Sequence, residues 1–138
     1  MSATIPTALL DTIYEGSSHR YRCEMEDEDS AVIVAAAITD VRGWLDDDES
    51  GVTINSRANV SLLGANGGSV VTETIAGVPR AVFYWYLTSA DAAIVSSADV
   101  SSEDHRLTLK FTYTRSGGGS GLLTHRARYP VVALERHP

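Results

Sequence analysis

The feature that most constrains this chain is a regular alternation of apolar and polar side chains. The clearest stretch is Leu107–Thr114, where leucine or an aromatic residue occupies every second position and threonine or lysine fills the positions between. A period of two places successive side chains on opposite faces of an extended strand, whereas a helix requires a period near 3.6. The pattern therefore predicts strands with one face buried and the other in water.

Similar signals recur along the chain with turn residues between them. His19–Met25 and Val70–Ile75 alternate, and Ala81–Leu87 (AVFYWYL) is apolar or aromatic throughout, which is typical of a strand buried on both faces. Leu123–Leu134 is predicted to be the closing strand, with Pro130 favouring an edge position or a bulge. Ser96–Asp104 is interpreted as a polar loop.

Two segments break the strand pattern. Ala31–Ile38 is compatible with a buried strand or a short helix, because its alanines favour helix and its Val-Ile-Val favours strand. Thr88 or Ser89 can cap a short helical turn, with Asp91 near its start. With no alternation of strands and helices, the chain is predicted to be all-β: an immunoglobulin-like antiparallel β-sandwich of seven to nine strands, with one short helical turn and an N-terminal arm.

The length of 138 residues suits one domain. Residues 1–17 lack a strong period and are interpreted as an N-terminal arm or a peripheral strand, free to reach a neighbour. Residues 18–138 are assigned to the sandwich domain. No apolar run approaches the roughly 20 residues of a membrane span, and the N-terminus lacks the pattern of a secretory signal. We expect a soluble protein without a membrane partner, made in a cytoplasm.

The charge distribution indicates the kind of partner. The net charge is −7; residues 1–80 carry 13 acidic residues against 5 arginines, whereas residues 81–138 carry 5 acidic against 6 basic residues. Such a balance repels a phosphate backbone and argues against nucleic-acid binding. Arginine outnumbers lysine ten to one, which suits protein interfaces, although the base composition of the gene could produce the same bias.

No motif for catalysis or for a cofactor emerges from the sequence. Asp46–Gly51 (DDDESG) begins like a calcium loop, but Arg57 stands where an EF-hand requires glutamate. The histidines lack zinc-ligand spacing, and the single cysteine, Cys23, excludes an intramolecular disulfide. The glycines of Arg115–Gly121 lack the lysine and the helix of a phosphate-binding loop. We therefore expect a non-enzymatic protein with no catalytic residue, cofactor or metal, a weak calcium site at Asp46–Gly51 remaining the alternative.

Partner contacts are expected at three places. The arm offers apolar side chains, and the Gly-rich hairpin loop offers an adaptable backbone. Trp44, on the same side of its strand as Arg42, suits either a contact surface or the core, whereas Trp85 lies inside a buried run. The candidate partner-binding residues are Ile5, Leu9, Leu10, Tyr14, Trp44, Gly118 and Gly119.

The order of segments also carries a resemblance. The segments are IYEGSSHRYRCEMEDEDSAVI, ITDVRGWLDDDESGVTIN, SLLGANGGSV, AVFYWYLTSADAAI, HRLTLKFTYTRSGGG and RYPVVALE, which lie in this order within residues 13–135. In this order and spacing the chain resembles small immunoglobulin-like proteins of tailed bacteriophages. It departs from that pattern in the longer polar segment Ser96–Asp104.

The resemblance implies a virion structural protein without catalysis, either decorating the capsid or joining head and tail. It implies other virion proteins as partners (the major capsid protein, portal or neck proteins, or tail proteins), a homo-oligomer within the particle, and assembly in the host cytoplasm. The family supplies no functional motif to transfer to individual residues. The alternative is a carbohydrate- or receptor-binding module of the tail or baseplate, with Trp44 on its surface; a calcium-dependent hydrolase is a third possibility.

Overall fold

A computed structural model describes residues 2–4, 8–9, 13–26, 31–94, 102–115 and 117–132, the first two stretches as backbone. The described residues form ten strands and two 3₁₀ turns, Ala35–Ala37 and Ser89–Ala92. The strands are β1 (Ser2–Thr4), β2 (Ala8–Leu9), β3 (Ile13–Tyr14), β4 (His19–Glu24), β5 (Ile38–Asp47), β6 (Val60–Ser61), β7 (Gly68–Ile75), β8 (Val78–Leu87), β9 (Ser102–Thr114) and β10 (Ser120–Val132).

The strands belong to two sheets that face each other across one apolar core. The larger sheet has the order β10-β9-β5-β6, with β1, β2 and β3 following one another along the outer side of β10. The smaller sheet has the order β4-β8-β7. The prediction of an all-β sandwich is confirmed. The strand count exceeds seven to nine because the N-terminal segment contributes three short strands, and these run parallel to β10 while the other pairings are antiparallel.

Because these three strands pair with β10, β10 has neighbours on both sides and is not the edge strand that Pro130 suggested. Pro130 lies between Arg128, which pairs with Leu9, and Val131, which pairs with Ile13. Proline has no N–H to donate, and here it falls where the parallel pairing changes from β2 to β3. The division into an arm (1–17) and a sandwich (18–138) stays a prediction.

The core forms where the inward faces of both sheets meet. Trp85, Phe83, Phe111 and Tyr129 are its largest buried side chains. Gly43 on β5 makes room for Leu62 and Trp85: a β-carbon at residue 43 would overlap the Leu62 side chain and come within 3.1 Å of the indole ring. Close packing of this kind fixes how the two sheets face each other and therefore which side chains point outward.

Local details differ from the sequence-based expectations in two places. Ala31–Ile38 is neither one strand nor one helix: Val32 forms an isolated bridge with Glu26, Ala35–Ala37 forms a 3₁₀ turn, and Ile38 begins β5. The segment Ser96–Asp104 was expected to be a loop, but its last three residues belong to β9, and residues 96–101 lie outside the described part of the chain. The short turn after Thr88 is confirmed, with Asp91 inside it. No helix in the described residues is long and apolar enough to cross a membrane.

Candidate functional site

The most distinctive surface of the protein is the outward side of β5, β9 and β10, which we call the open face. Antiparallel register aligns its residues into three cross-strand rows. The rows are Asp46–Arg106–Arg128, Trp44–Thr108–Arg126 and Arg42–Lys110–Thr124. Trp44 thus occupies the middle row with cations in every row around it.

The open face concentrates positive charge on an acidic protein. It carries five of the eleven basic residues of a chain whose net charge is −7, and Asp46 is the single acid within the three rows. At the rim, Arg42 Nε lies 3.2 Å from Asp40, and Arg128 lies 3.4 Å from Asp48. Lys110 and Arg126 are exposed, and neither forms an ion pair with a carboxylate of the described residues. These two cations are therefore available to an external anion.

A depression of about 390 Å³ lies at the centre of the open face. All three residues of the middle row line it, and Trp44 is half-buried. The residues lining it are Trp44, Asp46, Arg106, Thr108, Lys110, Thr124 and Arg126. Partial burial raises the pKa of Asp46 above its usual value, while Arg106 acts in the opposite direction. The depression therefore combines an indole, threonine hydroxyls and cations, a combination suited to an anionic surface or group.

The opposite surface, the outward side of β4, β8 and β7, is arranged differently, and we call it the paired face. Arg22 lies 3.0 Å from both Glu24 and Glu73, and Arg80 lies 3.4 Å from Glu24. The Tyr84 hydroxyl also donates a hydrogen bond to Glu73. These bonds from Tyr84 and Arg22 hold the pKa of Glu73 below its usual value.

Aromatic contacts complete the paired face. The guanidinium of Arg20 lies 4.5 Å from the ring centroid of Tyr84, within the range of a cation–π contact. Beneath the ionic groups, Val82 is fully buried although it points away from the core between the sheets. The charged side chains of the paired face are thus largely paired with one another.

Polar groups also occur in the interior at one end of the sandwich. Asp91 is fully buried and accepts hydrogen bonds from Arg57 and Asn55 and from the Thr88 backbone N–H. Burial opposes ionisation of Asp91, but the hydrogen bonds from Arg57, Asn55 and Thr88 outweigh it and lower its pKa. All of these donors belong to the chain itself. The Asp91 carboxylate therefore ties the 3₁₀ turn to the segment before β6, which is a structural role.

Three histidines, His19, His105 and His125, lie between the two sheets. His105 Nε2 is 2.6 Å from Glu103, His125 is hydrogen-bonded to the Tyr21 hydroxyl, and His19 packs edge-on against Tyr129. Burial lowers the pKa of both His19 and His125. The contacts of His19 and His125 join β4 of one sheet to β10 of the other, so these two histidines belong to the packing between the sheets.

Among the described residues, no group of three or more His, Cys, Asp or Glu is arranged to hold a metal ion. In the Asp46–Gly51 turn the Asp47 carboxylate accepts hydrogen bonds from the Ser50 backbone and side chain, 3.0 and 2.5 Å away. Gly51 takes a positive φ of 76° and donates to the Asp47 carbonyl. Cys23 is buried, and burial raises the pKa of its thiol to about 12.

The candidate partner residues do not form one site. Trp44 lies at the centre of the open face, whereas Tyr14 is 53% exposed beside Val132 at the C-terminal end of β10. Gly118 and Gly119 are exposed in the hairpin at the opposite end of β10, with positive φ values of 94° and 80°. The backbone of Leu9 pairs with Arg128. Ile5 and Leu10 lie outside the described residues.

The basic residues around Trp44 were not identified from sequence. Alternation alone places Arg106 and Lys110 on one side of β9, and Arg126 and Arg128 on one side of β10. Sequence does not give the register between β5, β9 and β10, and register is what puts Arg126 two strands away from Trp44 in the same row. The alternation predicts which residues share one side of each strand, but it does not predict which residues of different strands become neighbours on the open face.

The chain matches no protein-family model, no curated protein and no solved structure with which it was compared.

Proposed function

We propose that this chain is a non-enzymatic structural protein of a tailed-bacteriophage particle, a capsid decoration or head–tail joining protein that binds an acidic surface of another virion protein through its open face. The observation that carries the proposal is the set of cations around Trp44, two of which have no carboxylate partner among the described residues. The bacteriophage assignment itself depends on the order of sequence segments between residues 13 and 135.

The chemistry of the open face favours a protein partner. Tryptophan and arginine are enriched at the centres of protein interfaces, and four of the five cations here are arginine. An acidic partner would be drawn to this face by charge, and association would weaken as salt rises. Copies repeated on a particle would strengthen weak single contacts through multivalency.

The single lysine of the chain permits a direct test. Lys110 is the only lysine in the sequence and lies on the open face. An amine-reactive cross-linker applied to gradient-purified particles should join Lys110 to one virion protein, and mass spectrometry should find the chain in a fixed copy ratio to the major capsid or portal protein. Absence of the chain from such particles would contradict the proposal.

A matched pair of variants locates the contact. Lys110→Arg keeps the charge and should abolish that cross-link while the chain stays on the particle. Adding Arg20→Lys to Lys110→Arg moves the lysine to the paired face, and we expect no cross-link to the same partner. A cross-link to the partner from residue 20 but not from residue 110 would place the contact on the paired face and contradict the proposal. Trp44→Ala should weaken particle binding by at least about tenfold.

A second candidate function is a carbohydrate- or receptor-binding module of the tail or baseplate. It is favoured by the depression itself, which is lined by Trp44 together with Thr108 and Thr124. Since the depression is cationic, an acidic polysaccharide is the matching ligand class. Calorimetric titration with such a polysaccharide, giving heat for the wild type and none for Trp44→Ala, would favour this function over the first.

A further inference from the structure

The two edges of the smaller sheet are unequally protected against pairing with another strand. The edge strand β4 alternates its core residues with Arg20, Arg22 and Glu24, and charged side chains discourage edge-to-edge pairing. The other edge strand, β7, has eight residues without lysine, arginine or proline, and it pairs with β8 without a bulge. A long regular edge of β-branched residues is a template for another strand.

Hairpin geometry shows which backbone groups of β7 point outward. Ala76 and Gly77 form a two-residue turn with φ values of 53° and 82°, so the flanking residues Ile75 and Val78 exchange hydrogen bonds. Alternation along the ladder then directs the backbone N–H and C=O groups of Thr74, Thr72 and Val70 away from β8.

Two observed hydrogen bonds agree with this assignment. The N–H of Gly68, next in the outward series, donates to the Ala65 carbonyl at 2.9 Å rather than to β8. Gly67, in the inward series, accepts from the Tyr86 N–H at 2.9 Å. No backbone hydrogen bond within the described residues engages the outward groups of Val70, Thr72 and Thr74.

We propose that β7 pairs antiparallel with β7 of a second copy about a two-fold axis at Thr72, which makes one continuous six-stranded sheet from two three-stranded ones. This register places Thr72 opposite Thr72 of the second copy, and Val70 opposite its Thr74. All three outward N–H groups of each copy then find a carbonyl, which gives about six backbone hydrogen bonds.

Two-fold axes at the neighbouring outward residues of β7 satisfy fewer groups. An axis at Val70 sets Thr72 against Gly68, whose N–H is already bonded, and an axis at Thr74 runs into the turn at Ala76. In the chosen register the one charged residue of β7, Glu73, lies opposite Val71 of the second copy, so like charges do not face each other across the axis. The carboxylate of Glu73 is also already held by Arg22 and Tyr84.

The test uses the full chain and a charge exchange at the axis. Light scattering coupled to size exclusion should give a dimer for the wild type. Thr72→Lys and Thr72→Glu each set like charges opposite each other at a Cα separation of about 5.5 Å, and each should raise the dissociation constant by about tenfold or more. An equimolar mixture of the two variants should restore the dimer. Thr114→Lys, the same change at an exposed position of β9, should leave it intact.

Thr72→Pro provides a second, independent test. Proline removes an N–H that points away from β8, a position where edge strands tolerate it, so circular dichroism should show a folded monomer. A wild type that stays monomeric up to its solubility limit would overturn the dimer. A dimer that Thr72→Lys leaves intact, or one that the Lys and Glu mixture does not restore, would overturn this register. None of these results depends on the open face, whose test is the cross-link at Lys110.

Discussion

The two outer faces of the sandwich carry similar residue types and use them in opposite ways. On the paired face, Arg22 and Arg80 are bound to Glu24 and Glu73, and a fully buried valine lies beneath them. On the open face, Lys110 and Arg126 flank Trp44 without a carboxylate partner among the described residues. Charges that satisfy one another contribute to the fold and offer little to a partner. Unpaired charges add little to the fold and remain available for binding.

The largest effect on stability is expected at the buried position of the paired face. Val82→Ala should lower the free energy of unfolding by about 2 kcal/mol, because two methyl groups leave a fully buried site. Thr108→Ala, at a central-strand position on the open face, should change it by no more than about 0.5 kcal/mol. Denaturant titration measures both. Equal losses in the two variants would show that the paired face is no better packed than the open one.

Lowering the pH should reduce stability through the histidines between the sheets. It therefore separates contributions of the core from those of the outer faces. His19 and His125 have pKa values lowered by burial, so the folded protein disfavours their protonation. Stability should be constant above the ordinary histidine pKa of about 6.5 and fall as the pH drops below it, because the unfolded chain binds protons more readily. Asp91, whose pKa is lowered in the folded protein, should add a further loss of stability below the ordinary aspartate pKa of 3.8.

Thermal melts across this pH range in the wild type and in His125→Phe provide the measurement. The variant removes one titrating group, which faces Tyr21 across the sheets, and should show a shallower decline. An unchanged slope would contradict the assignment to His125. Trp44→Ala serves as the control from the open face and should keep the wild-type slope.

Charge reversal compares the faces directly and should have a smaller effect. Arg126→Glu should leave stability within about 0.5 kcal/mol of the wild type, because Arg126 is exposed and pairs with no carboxylate of the described residues. Arg22→Glu should destabilise more, since it sets three carboxylates of the paired face close together. The ranking of the two melting temperatures decides the comparison, and the reverse ranking would contradict it.

The smallest effect is expected for Glu73→Gln. The amide keeps the shape of the side chain but loses the charge that Arg22 and Tyr84 stabilise. Melting temperature should fall slightly at low salt, and the difference from the wild type should shrink as salt screens the pair. A difference that is independent of salt would indicate packing rather than charge.

The fold class could be predicted because alternation is a local property. Leu107–Thr114 and the run Ala81–Leu87 each identify a strand without knowledge of the rest of the chain. The segment 31–38 could not be assigned, because alanine and β-branched residues conflict there and the outcome follows from the crossing between sheets. Residues 1–17 were interpreted as an arm or a peripheral strand, and the three short strands β1–β3 could not be predicted individually, since strands of two or three residues carry no period of their own.

The candidate site could be predicted only in its central residue. Trp44 was identified because it interrupts the otherwise polar side of β5. Four of the five cations around it come from β9 and β10, more than sixty residues later, and no local signal links them to Trp44.

The sequence by itself determined that this chain forms strands with alternating side chains around a single apolar core, because side-chain direction follows directly from position along a strand. It also contains no motif for a catalytic site. The tertiary structure decided which outward residues become neighbours. That depends on register and strand order, which arise from core packing such as Trp85 over Gly43 and from long-range backbone pairing. A cationic face on an acidic protein, and two opposite edges of the smaller sheet that differ in charge, are consequences of that pairing.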